Sequence, residues 1–69
     1  MTINNTGDIL RFYRRLSDLS QLELAAFIGK SQGWVYQVER GFLRPSPDDR
    51  ERLFHALNID PSVLDNLDD

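Results

Sequence analysis

The chain has 69 residues, a formal net charge of −3 and an isoelectric point near 4.9. That length allows one domain, taken as residues 1–69, and a domain so small buries only about 60% of the surface its unfolded chain exposes. The absence of cysteine excludes disulfides, thiolate metal sites and thiol catalysis, and one histidine cannot build a zinc site alone. No apolar run approaches the ~18 residues of a membrane span. The start, MTINNTGD, has neither the basic stretch nor the apolar stretch of a signal peptide. The expectation is an intact, soluble, cytoplasmic chain with no cofactor and no metal. Apolar residues at 41% and charged residues at 28% fit a globular domain rather than a disordered one.

The charge is unevenly placed. Residues 1–47 carry six basic and four acidic side chains, a net of +2. Residues 48–69 carry two basic and seven acidic ones, a net of −5. One end can face a polyanion while the other faces water.

Helix signals recur along the chain. Residues 8–17 place Ile9, Leu10, Phe12, Tyr13 and Leu16 on one broad helical face. Ser20-Gln21-Leu22-Glu23 is a capping box that opens a second helix with Leu22, Ala25, Ala26 and Ile28. Gly29 stops it. Ser31 caps a third helix, with Val35 and Val38 on its inner face, and Gly41 ends that one in the same way. Residues 42–47, FLRPSP, form a loop, since prolines are excluded from a helix interior. Asp48 and Asp49 suit the first turn of a fourth helix with Leu53, Phe54, Ala56 and Leu57. Asp60-Pro61 opens a short fifth helix with Val63, Leu64 and Leu67. No stretch alternates as a strand does. The fold class is all-α, with five short helices.

The informative segment is 20–44, SQLELAAFIGKSQGWVYQVERGFLR. Only Gly29-Lys30-Ser31 separates two short helices, the spacing of a helix-turn-helix. Ala25 and Ala26 permit close helix approach, and Ile28 and Val35 seal the turn from inside. The ordered set Leu19-Ser20-Gln21, Leu24-Ala25, Ile28-Gly29, Ser31 and Val35-Tyr36-Gln37-Val38-Glu39-Arg40-Gly41 resembles the helix-turn-helix of lambdoid phage repressors, Cro proteins and the related Xre-type bacterial regulators. The resemblance extends over about residues 8–65.

The resemblance implies a lambda-repressor-like domain that lays its third helix, 32–40, into the major groove of double-stranded DNA and regulates transcription without catalysis. A groove ~12 Å wide admits one helix, and base edges there carry a distinct donor and acceptor pattern. By matching position, Gln32, Gly33 and Gln37 face bases, with Tyr36 beside them. Gly33 departs from the polar residue usual there. Gln21, Ser31, Trp34, Arg40 and Arg44 match positions that touch the sugar-phosphate backbone. Arg14 and Glu39 match a structural ion pair between the first and third helices. One helix reads ~3–4 base pairs, so specificity calls for two half-sites and a homodimer. The apolar residues left for its interface are Phe12, Leu16, Phe54 and the region 59–67.

Some assignments stay open. Trp34 either covers the third helix's edge or stacks on sugar and backbone. Phe42 and Leu43 either pack as a satellite core or touch a thymine methyl or a partner subunit. His55 reads as a surface residue. Asp18 and Arg50 also depart from the family pattern, at a turn glycine and a packing leucine. The rival reading keeps the fold but makes it a protein-interaction module, or an antitoxin-like protein partner, with weak or no DNA binding. The acidic balance and Phe12, Trp34, Phe42 and Leu43 favour it. Charge on the third helix's outer face discriminates the two. No nucleophile–base set or metal cluster supports an enzyme.

Overall fold

The computed structural model describes residues 6–60, 62 and 63. Four α-helices run in chain order: α1 (Thr6–Leu16), α2 (Gln21–Ile28), α3 (Gln32–Glu39) and α4 (Pro47–Leu57). The expected fifth helix is not among them. Ser62 and Val63 form a turn of 3₁₀ character, and Pro61 and residues 64–69 lie outside the described residues. The Asp60 carboxylate accepts the Ser62 N–H at 3.0 Å, so the expected cap is formed.

Local chemistry fixes each helix start. The Ser20 hydroxyl accepts the Glu23 N–H at 3.0 Å, and Glu23 accepts the Ser20 N–H at 2.9 Å. Two orphan donors are satisfied by one reciprocal pair. The Ser31 hydroxyl accepts the Trp34 N–H at 3.1 Å. At α4 the cap is Ser46, accepting from Asp49 N–H at 3.2 Å. Pro47 therefore belongs to the helix rather than to the loop assigned to 42–47. At the first helical position its missing N–H costs nothing.

The stops share one geometry. Asp18, Gly29, Gly41 and Asn58 all take positive φ, at 60°, 72°, 80° and 58°. The next residue then donates its N–H back across the helix end: Leu19 to Arg14, Lys30 to Ala25, Phe42 to Gln37 and Ile59 to Phe54. This is the six-to-one bond of a Schellman stop. Asp and Asn tolerate the left-handed region better than most residues, which explains how Asp18 replaces a turn glycine.

Each helix supplies one of the four largest fully buried side chains: Leu10, Leu24, Val35 and Leu53. Ile9, Ala25, Ile28, Val38, Phe54, Leu57 and Ile59 complete the core. Several expected faces shift. Phe12 and Leu16 are exposed, as are Leu22, Ala26 and Ala56. Phe54 and Ile59 are core residues and are not available to a dimer interface. On α2 the core-facing residues are Leu24, Ala25 and Ile28, whereas Leu22 and Phe27 face outward.

Gly7 marks the tightest backbone approach. A Cβ there would lie 2.5 Å from the Val38 carbonyl oxygen and 2.7 Å from that of Glu39. The first turn of α1 thus rests directly on the last turn of α3. A Gly7→Ala variant is expected to lose about 1–3 kcal/mol by overpacking, read by urea unfolding; unchanged stability would contradict this close approach. The capping box gives a second expectation. Its backbone and side-chain hydrogen bonds with Ser20 hold the Glu23 carboxyl below the usual glutamate pKa. A depressed carboxylate stabilises the fold above its unfolded-state pKa and loses that contribution as pH falls through the folded-state value. A Glu23→Gln variant is therefore expected to lose melting temperature less steeply than the parent below about pH 4.3; parallel acid limbs would contradict it.

Candidate nucleic-acid interface

Helical periodicity divides α3 into two faces. Val35, Val38 and Glu39 point inward and are buried. Gly33, Tyr36, Gln37 and Arg40 lie on the opposite side and are exposed, and Gln32 is exposed on the flank. The structure therefore brings the four expected base-facing residues, Gln32, Gly33, Tyr36 and Gln37, to the solvent side of one helix. The Arg40 guanidinium carbon lies 5.9 Å from the centre of the Tyr36 ring. That cation–π contact orients a charge along the same face.

The inner face holds the polar anchor. Arg14 Nε donates to Glu39 Oε2 at 2.6 Å, and its Nη2 donates to Oε1 at 3.1 Å. Its Nη1 donates to the Leu19 carbonyl at 2.8 Å. The Arg14 and Glu39 side chains are only 10% and 2% exposed. Such a two-pronged pair is geometrically specific. Gln21 joins it, because its amide donates to Glu39 Oε1 at 3.1 Å. One carboxylate thus ties α1, the start of α2 and the end of α3. No local pattern signals that Gln21 takes part, since its partner lies 18 residues away.

The remaining expected contacts divide. Ser31 is exposed at the α3 cap, and a hydroxyl that accepts there still has its own proton to donate. Arg44 is exposed in the loop before α4. Trp34 is half-buried and packs against the core edge. Lys30 Nζ stands 5.2 Å from the centre of its ring and 3.3 Å from Asp49 Oδ2. The turn lysine thereby joins α3 to α4, a link sequence reasoning missed. Leu43 packs against the core, whereas Phe42 is 72% exposed. His55 is exposed.

The electrostatics follow from these placements. The single carboxylate of α3, Glu39, is buried against Arg14, so that helix exposes no acid. The exposed acids among the described residues lie off α3: Asp18 in the turn before α2, Glu23 in the first turn of α2, Asp48 and Glu51 on α4, and Asp60 after it. Among the described residues no group of three or more His, Asp or Glu could hold a metal ion.

Removing one partner of a buried pair leaves an uncompensated charge. Glu39→Ala is expected to lose about 3–5 kcal/mol of unfolding free energy, measured by urea denaturation. A melting temperature equal to the parent's would contradict the structural role of the pair.

Known proteins share this fold and sequence pattern. Residues 7–67 match the family model for a helix-turn-helix domain. Two Mycobacterium tuberculosis proteins, from the CDC 1551 / Oshkosh and H37Rv strains, are each named an uncharacterized HTH-type transcriptional regulator. Each is 34% identical over 58 residues, which is 84% of this chain and 41% of the relative. The chain thus spans about two-fifths of the length of these relatives. The crystal structure of the restriction-modification controller protein C.AhdI from Aeromonas hydrophila is similar at a TM-score of 0.77 and 38% identity, covering 84% of both chains. With residues 7–67 of its 69 matched by the family model, the chain belongs to the helix-turn-helix domain family.

Proposed function

We propose that this chain binds double-stranded DNA sequence-specifically, with α3 in the major groove, and regulates transcription by occupying an operator. The observation that carries the reading is the outer face of α3. It is exposed, polar and free of carboxylates, on a helix whose only acid is buried in an ion pair. The chain's similarity to proteins named transcriptional regulators and to a restriction-modification controller supports it.

In this reading Gln32 and Gln37 offer bidentate amides to adenine, and each such contact contributes roughly 1–3 kcal/mol of discrimination. Tyr36 and Gly33 line the same approach. Ser31, Arg40 and Arg44 meet phosphates, with Trp34 against the sugar edge. Gln21 presents an amide already fixed by Glu39 beside the N–H groups at the start of α2, and such a helix start favours anions. Two copies would read half-sites ~34–36 Å apart. Of the residues expected at a homodimer interface, Phe12 and Leu16 are exposed and available to one. In this reading the chain acts where it meets DNA, in the cytoplasm; no helix of the described residues is long and apolar enough to cross a membrane.

A second reading, a module for a protein partner, is favoured by one observation. Leu22, Phe27 and Phe42 are 62%, 72% and 72% exposed. Trp34 and Leu43, which would have strengthened it, pack instead against the core.

Random-site selection on duplex DNA separates the two readings. The DNA reading expects an enriched half-site and binding that weakens by several powers of the salt concentration. No binding at low salt would hand the case to the partner reading. With a site in hand, Gln37→Ala is expected to lose about 1–3 kcal/mol of affinity and to relax preference at one base pair. A uniform loss across all sequences would place Gln37 on phosphate instead.

A further inference from the structure

Three of the four glycines have a reason inside the fold. Gly7 has backbone carbonyl oxygens where a Cβ would sit. Gly29 and Gly41 take positive φ at helix stops. Gly33 has neither reason. Its φ lies outside the left-handed region, and a Cβ there would meet nothing nearer than the Ser31 hydroxyl at 4.0 Å. Glycine is also among the poorest helix formers, because it loses the most backbone freedom on folding. The chain therefore gives up helix stability at Gly33 with no internal return.

Its place on α3 indicates where the return lies. Gly33 is the second residue of α3, on the side opposite Val35, Val38 and Glu39. It begins the outward stripe that continues through Gln37 and Arg40, where side chains three and four apart share a face. The outermost point at the N-terminal end of α3 is thus bare backbone, with the exposed amides of Gln32 and Gln37 beside it.

We propose that Gly33 is a contact notch for the duplex. The inference rests on the DNA-binding reading. The missing Cβ lets the start of α3 approach the base-pair edges by roughly the thickness of a methyl group more than alanine would. That depth allows Gln32 and Gln37 to reach the base edges directly. Glycine commonly marks such close approach of backbone to a ligand. The residue contributes by what it leaves open, so its role has opposite signs in the free protein and in the complex.

Gly33→Ala and Gly33→Leu test this on the full chain, with melting temperature and affinity for the selected duplex read on the same samples. Alanine should raise the melting temperature, by limiting the unfolded chain. It should also weaken binding about tenfold, and leucine should weaken it further. Three results overturn the proposal: Gly33→Ala binding as tightly as the parent, affinity that does not fall with side-chain size, or a lowered melting temperature in the alanine variant. A parent that enriches no duplex removes the DNA reading and this inference together, whereas a parent that binds beside an equally tight Gly33→Ala removes the inference alone.

Discussion

The Glu39 carboxylate is the point on which the arrangement turns. It receives two donors from Arg14 and one from Gln21, and Arg14 also holds the Leu19 carbonyl. Three helices and one turn meet through a single buried anion. Burying two charges costs desolvation that the pair recovers only with good geometry and further hydrogen bonds. Here both conditions hold, with bonds between 2.6 and 3.1 Å. The pair is better understood as fixing a direction than as adding stability. The bare approach of Gly7 to the last turn of α3 acts in the same sense, because it sets how closely α1 lies against that turn.

Burial of Glu39 also resolves the conflict between an acidic chain and the polyanionic ligand proposed for it. A net charge of −3 describes the whole surface, but a ligand meets one face. With Glu39 inside, the outer stripe of α3 carries Tyr36, Gln37 and Arg40 and no acid. Asp49 is paired with Lys30, which also stands over Trp34. Asp48 and Glu51, exposed on α4, and Asp18 and Glu23, exposed before and within the first turn of α2, all lie off that stripe.

Features that depend on near neighbours were legible in the sequence. The capping box at Ser20 and Glu23, the Ser31 cap and the glycine stops at 29 and 41 each involve residues within five positions. Their chemistry is local, so spacing alone reveals it. Facing directions were less legible. In α2 six of eight residues are apolar, so periodicity carries little phase: the spacing does not separate exposed Leu22 and Ala26 from buried Ala25 and Ile28, and Leu24 enters only through the family motif. Phe54 and Ile59, assigned to an interface, are taken up by the core. The bond from Gln21 to Glu39 and the Lys30 bridge join distant positions and leave no local pattern. The outer-face residues 32, 33 and 37 follow from the family resemblance, position by position, and Val35 and Val38, which define the inner face of α3, add only that Tyr36 faces outward.

The most direct test of this account is chemical-shift mapping of the labelled protein during titration with its selected duplex. The account predicts the largest backbone and side-chain changes at Gln21, Ser31, Gln32, Gly33, Tyr36, Gln37, Arg40 and Arg44, with α4 little affected beyond its first turn. Changes centred instead on Leu22, Phe27 and the outer side of α4, with the stripe from Gly33 to Arg40 unmoved, would contradict it.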